Sequence, residues 1–270
     1  MKIIFQREFW LNLAGAGIVA VVAATPILMS GVMNRGFEIA KQSLAEPLAV
    51  LAFGAVMLAG GWRGIAKLGG AMKIAASALV VFLLLAVIST ALSENPEVAI
   101  FGGYYRREGL LAWCVYGAFF FAVLGWARCK NDIVSFLDVL LLASAIPAAY
   151  ALQQRLDLDF YPLGVRDFTR PGAMLGSPVF LAAYLGLLLP ITAARCWQAR
   201  RTGCELVLWL TVAALQACGL LVTQSRGPLL AAIMGLLMLA CCAGARAGAR
   251  RIFVAAIVVV VVAAASVTVI

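Results

Sequence analysis

The 270-residue sequence contains no histidine, and only 12% of its residues are charged. Without an imidazole, a histidine general base, a Ser-His-Asp triad and a histidine haem ligand are all excluded within this chain. Soluble domains carry about 25% charged residues, so this chain has too little polar surface to coat a water-soluble globule of its size. Neither a Walker-type phosphate loop nor a dinucleotide fingerprint occurs, and ATP chemistry has no support. Long linkers, low-complexity tracts and internal repeats are also missing.

Apolar residues are abundant instead: 64% of the chain is hydrophobic and the mean hydropathy is +1.03. They come in runs of roughly 18–24, the length a helix needs to cross about 30 Å of hydrocarbon. The expected fold is all-α: a polytopic integral membrane helix bundle of about nine transmembrane helices, forming one transmembrane domain over residues 1–270. The runs place helices near 9–33, 45–61, 74–92, 110–127, 133–152, 177–194, 205–223, 228–243 and 252–270. The first, from Phe9 to Met33, is too long for a signal-peptide core and reads as an uncleaved anchor, although Ala23 and Ala24 leave a cleavage site open.

Charge sets the orientation. With the N-terminus in the cytoplasm, the inner segments hold 13 of the 21 cations, among them Lys2, Arg7, Arg63, Arg128 and Arg200, but only four of the 12 acids. The outer segments then hold eight of each, so the whole net charge of +9 lies on the inner side, as positive-inside orientation requires. This asymmetry accounts for the basic pI without nucleic acid, and no basic loop is interleaved with aromatics for base stacking. Trp10, Trp62, Trp126 and Trp197 fall near inner helix ends and Trp113 near an outer one, where amphipathic rings prefer to sit. None of the seven cysteines lies in an outer loop, so no structural disulfide is indicated. Cys241 and Cys242 are adjacent with no histidine nearby, which makes a poor zinc site; they read as small apolar residues.

Three outer segments carry the candidate chemistry. The stretch from Phe101 to Leu111 places Arg106 and Arg107 at a helix N-terminus, against the positive end of the helix dipole, so Glu108 or a bound anion must compensate. The longest outer loop, Gln153 to Leu175, contains Arg155, Arg166 and Arg170 and leads to Ser177-Pro178, a helix cap followed by a first-turn proline. Asp157 and Asp159 in that loop could serve as a base or metal ligands, but read first as loop ion-pair partners. Between the seventh and eighth helices, Thr223-Gln224-Ser225-Arg226-Gly227-Pro228 sets an arginine with no acidic neighbour in a tight turn at the membrane boundary, with Ser225 or Gly227 near the cap. A fixed guanidinium beside free helix N–H groups is a phosphate site in miniature. The plain alternative is that these arginines snorkel to lipid headgroups or pair with local acids. It weighs evenly for Arg106, Arg107, Arg155 and Arg166 and less for Arg226.

Taken together, Gly103 through Leu111, Arg170-Pro171 with Gly176-Ser177-Pro178-Val179-Phe180 through Tyr184, and Thr223 through Pro228 resemble the O-antigen ligase family, whose relatives include O-antigen polymerases and protein O-oligosaccharyltransferases. The resemblance covers roughly residues 100–230. It implies a bacterial inner-membrane glycosyltransferase that moves a glycan from undecaprenyl diphosphate to an acceptor at the periplasmic face, whether lipid A-core, a growing polymer or a protein. No cofactor, metal or nucleotide sugar is required in that scheme. Arg226 matches the family's Ser-Arg-Gly turn and by resemblance binds the diphosphate together with Ser225, Arg170 and Arg106; Arg107, Ser177 and Arg166 are supporting candidates. Neutralising the diphosphate leaving group would lower the barrier electrostatically. Ser177 and Phe180 depart from the two asparagines common in the family's segment. The family's large periplasmic loop with its histidine is not in this sequence, so the chain is expected to be a truncated portion, inactive alone. Two other classes stay open: a lipid-linked glycan transporter, which would need ionisable groups at mid-membrane and paired broken helices, and a non-catalytic membrane partner.

Overall fold

A computed structural model describes residues 2–29, 36–61, 69–103, 107–127, 129–158, 170–200 and 202–247. Among the described residues the regular elements are helices: α1 (Lys2–Ala24), α2 (Gly36–Leu58), α3 (Gly70–Ala91), α4 (Pro96–Phe101), α5 (Leu110–Trp126), α6 (Lys130–Arg155), α7 (Pro178–Ala199), α8 (Gly203–Val222) and α9 (Arg226–Ala247), with a 3-10 turn at Ala173–Leu175. Six of them are long and apolar enough to cross a membrane; the apolar stretches Leu110–Trp126 and Arg226–Cys242 are shorter. The expected helix over 252–270 lies outside the described residues.

Boundaries differ from the sequence reading where polarity and helicity part company. Helix α1 begins at Lys2, because Lys2, Arg7 and Glu8 are compatible with a helix although they break an apolar window. It ends at Ala24, two residues before Pro26, whose ring disfavours helical backbone in the residue before it. Helix α2 likewise begins at Gly36 and runs through Glu38, Lys41 and Gln42 into its apolar part. The short α4 is not evident in the apolar pattern; Pro96 starts it, Glu97 lies in its first turn, and Gly102, at φ 82°, stops it. At the start of α6, the Cys129 N–H donates to Asp132 Oδ2 (3.1 Å), half of a capping box, and Arg155 lies in the last turn, complementing the dipole.

The chain divides into two compact units, Met1–Val139 and Leu140–Ile270. In the first, α1, α2 and α5 pack together around Ala14, Ile18, Ala52, Ala55, Val56 and Ala122. Lipid is as apolar as leucine, so helices in a bilayer associate through close packing, and small residues let backbones approach. A Cβ on Gly15 would lie 2.5 Å from the Trp126 indole nitrogen, so the ring lies directly over that glycine. Arg7 Nε donates to the Ala59 carbonyl (3.2 Å), which brings the start of α1 to the end of α2 and makes the pair antiparallel. Helix α3 is the most apolar of the six long helices, yet it buries none of its residues.

In the second unit α7 packs on both α8 and α9, and Leu141, Leu188, Ala199 and Trp209 form a buried cluster. A Cβ on Gly219 would come within 3.1 Å of the Ala148 Cα, so α6 and α8 touch there at backbone distance.

Candidate functional site

At one end of the second unit four helix termini meet: the end of α6, the start of α7, the end of α8 and the start of α9. Two irregular segments lie here: 170–177, which leads into α7, and 223–225, which joins α8 to α9.

The first is held from below. Gln154, in the last turn of α6 and only 2% exposed, accepts the Ala173 N–H on Oε1 at 2.9 Å. Ala173 has φ 45°, an uncommon conformation for a residue with a Cβ, and Gly176, at φ 73°, closes the 3-10 turn. Ser177 then caps α7 in an extended conformation; its carbonyl accepts the Leu181 N–H (3.0 Å), while its hydroxyl makes no capping bond. Pro178 occupies the first helical position, where its missing N–H costs nothing.

The second segment is a tight turn built on hydroxyls. Thr223 is fully buried; its Oγ1 donates to the Leu220 carbonyl (2.7 Å) and accepts the Ser225 N–H (3.3 Å). Such a local side-chain bond substitutes for a backbone turn. Gln224 at the tip has φ 52°. Arg170 bridges the two segments, its Nε donating to the Thr223 carbonyl and its Nη2 to Ser225 Oγ, both at 3.1 Å. Part of the Arg170 side chain stays exposed.

Arg226 follows as the first residue of α9, and the Ser225 carbonyl accepts the Leu229 N–H (3.3 Å). Arg226 is exposed and makes no hydrogen bond or ion pair among the described residues. The first N–H groups of a helix lack intrahelical acceptors, and Arg226 and Gly227 carry two such groups at the start of α9. Pro228 supplies no N–H, and its carbonyl lies 3.0 Å from where a Cβ on Gly186 would be, which seats the start of α9 against α7. A positive helix end and a guanidinium unpaired among the described residues both favour an anion, most strongly one with several oxygens.

The structure therefore gathers Arg170, Ser177, Ser225 and Arg226 in one place, with divided roles. Ser225 is 6% exposed and its hydroxyl is engaged by Arg170, so Ser225 and Arg170 hold the turn while Arg226 faces outward. Arg107 belongs to the first unit; it is exposed at φ 50°, and its N–H donates to the Gly103 carbonyl (2.8 Å). It forms no ion pair with Glu108. The loop closes on glycine: a Cβ on Gly109 would stand 2.3 Å from the Gly102 nitrogen and the Ile100 oxygen. Arg106, Arg166 and Asp159 lie outside the described residues, and Asp157 is exposed at φ 56° just beyond α6.

Two features escape the sequence reading. Gln154 is one, because nothing distinguishes it from Gln153 until the fold shows which of them is buried. The other is a polar node inside the bundle, where Ser144, Thr192 and Gln216 are all fully buried. Gln216 Nε2 donates to Ser144 Oγ (2.7 Å), and Thr192 Oγ1 donates to Gln216 Oε1 (2.8 Å). One glutamine thus ties α6, α7 and α8 together. Its visible signal was an amide within an otherwise apolar run. Among the described residues no three His, Cys, Asp or Glu side chains come together to hold a metal. No known protein family, curated protein or solved structure matches the chain.

Proposed function

We propose that the chain is a multi-pass protein of the bacterial inner membrane whose second unit binds the diphosphate of a lipid-linked glycan at the periplasmic face. By its resemblance to O-antigen ligases, it would be the donor-binding part of a glycosyltransferase that passes the glycan to a lipid, polymer or protein acceptor. The observation that carries this reading is Arg226: an exposed guanidinium on the first residue of α9, unpaired among the described residues and set on a turn whose Thr223 and Ser225 hydroxyls are already bonded. A diphosphate offers the charge and the oxygens that this guanidinium and the adjacent N–H groups lack. Helix α3, apolar and unburied, suits hydrocarbon rather than water. The N-terminus is assigned to the cytoplasm from the cation asymmetry, and with it the Arg226 end to the periplasm. About nine spans fit this assignment if the two shorter apolar helices and residues 252–270 also cross.

The role proposed for this chain is donor binding, not transfer. With no histidine in its 270 residues the chain supplies no imidazole base. The polar node of the second unit is uncharged, which weighs for binding over ion-coupled transport. The test is a titration of undecaprenyl diphosphate into the protein in nanodiscs. Arg226→Ala is expected to weaken binding by about 2–3 kcal/mol, the worth of a charge-assisted contact. Arg200→Ala serves as control, since Arg200 packs over Trp197 at the other end of α7. Equal affinity of wild type and Arg226→Ala would sink the proposal.

A further inference from the structure

The Arg226 turn belongs to a series of contacts that begins 72 residues earlier in the sequence and inside the bundle. Gln154 Oε1 holds the Ala173 N–H in a buried hydrogen bond. Pro171, fully buried, and Ala173, 2% exposed, anchor the segment that carries Arg170. The Arg170 guanidinium holds the Thr223 carbonyl and the Ser225 hydroxyl, the two residues that flank the tip of the turn. Arg226 is bonded covalently to the second of them.

We propose that Gln154 is a positioning residue: through Ala173 and Arg170 it fixes the 223–225 turn and so the direction in which Arg226 is presented. Three features support this. Gln154 is almost wholly buried at the end of a helix whose neighbouring residues Arg155 and Leu156 are exposed, so its amide faces inward by placement and not by composition. It satisfies the backbone of a residue with positive φ, which packing alone would let relax. Finally, Ala173 and Gln224, one on each segment joined by Arg170, both have positive φ, so each segment needs an external hold to keep its shape. A buried bond that orders one segment and a guanidinium that hands the order to the next provide that hold. The mechanical part of this inference stands by itself; its consequence for ligand binding rests on the diphosphate reading above.

The test compares wild type with Gln154→Leu, which removes the acceptor, and Gln154→Glu, which keeps one. Hydrogen exchange of the protein in nanodiscs, without ligand, reads the relay. In Gln154→Leu, exchange should quicken at Ala173 and also at Gln224, Ser225 and Leu229, while the middle of α7 and α8 stays protected. Gln154→Glu should restore protection at both places, and Arg170→Ala should free Gln224 and Ser225. Faster exchange at Ala173 alone, or uniformly across the unit, overturns the relay. Titration of undecaprenyl diphosphate then reads its consequence: Gln154→Leu should weaken binding by about tenfold, the worth of one ordered hydrogen bond. It should cause no further loss in an Arg226→Ala background. An equal loss in both backgrounds overturns the claim that Gln154 acts through Arg226. If the wild type binds no undecaprenyl diphosphate while the exchange coupling is present, the diphosphate reading fails and the positioning role stands.

Discussion

Arg170 Nη2 lies 3.1 Å from Ser225 Oγ, joining residues 55 apart in the sequence. This bond, with its companion to the Thr223 carbonyl, makes the turn before α9 a fixed object rather than a loop. An arginine that would be read as a ligand-binding charge is spent largely on holding its neighbour. The two nearby cations thus divide their roles: Arg170 shapes the turn and Arg226 stays exposed.

Removing that bracket should loosen the turn without unfolding the bundle. Bonds from a charged donor are worth about 1.5–3 kcal/mol when buried, but this guanidinium is partly exposed. The Ser225 hydroxyl also lies 3.4 Å from the Thr223 carbonyl and 3.5 Å from that of Pro178, so substitute partners are at hand. Arg170→Ala is therefore expected to cost about 1–2 kcal/mol in mixed-micelle unfolding. A loss above about 4 kcal/mol would mean that the bracket supports far more than the turn.

The polar node should matter less than its burial suggests. When Gln216 is replaced by leucine, the Ser144 hydroxyl keeps the Leu141 carbonyl and the Thr192 hydroxyl keeps that of Leu188, so neither donor is orphaned. Interhelical bonds in membranes average only about 0.6 kcal/mol, and two are lost. Gln216→Leu should cost about 1 kcal/mol, read as a small shift in the unfolding midpoint. A stability loss several times larger would show that the glutamine sets helix register and not merely helix attraction.

Glycine is required on one side of the first unit's loop. A Cβ at Gly109 would meet backbone atoms at 2.3 Å, and backbone cannot rotate away as a side chain can. Gly109→Ala should destabilise the unit by about 2–4 kcal/mol, with the change centred on the 100–109 segment in hydrogen exchange. Gly103→Ala provides the contrast, since no described residue lies within 4 Å of the position its Cβ would take. Similar behaviour of the two variants would contradict the close approach.

The orientation can be measured directly. In a cysteine-free background, Gln224→Cys at the exposed tip of the turn should react with a membrane-impermeant maleimide in intact cells. Cys129, restored alone, is exposed just before the first residue of α6 and should react only after the cells are opened. The reverse pattern would place Arg226 in the cytoplasm and end the periplasmic reading.

Much of this molecule is local and could be read as such. Apolar runs specify helices because a chain in hydrocarbon must satisfy its backbone within each segment. Ser177-Pro178 and Ser225-Arg226-Gly227-Pro228 mark helix starts because their backbone preferences hold without any partner. The bounds are less legible: polar residues such as Lys2, Glu38 and Lys41 extend helices beyond the apolar windows, and the six-residue α4 leaves no periodic trace. Other features depend on residues far apart in sequence, and these only the tertiary structure decided. Gln153 and Gln154 are chemically identical, and burial alone gives the second an acceptor role. Arg170 and Arg226 carry the same charge, but the fold points one at Thr223 and Ser225 and leaves the other facing out. The sequence by itself determined that the long helices exist and roughly where they lie. Which of its few polar side chains are spent inside the protein, and which stay exposed, was decided by which helix ends pack together.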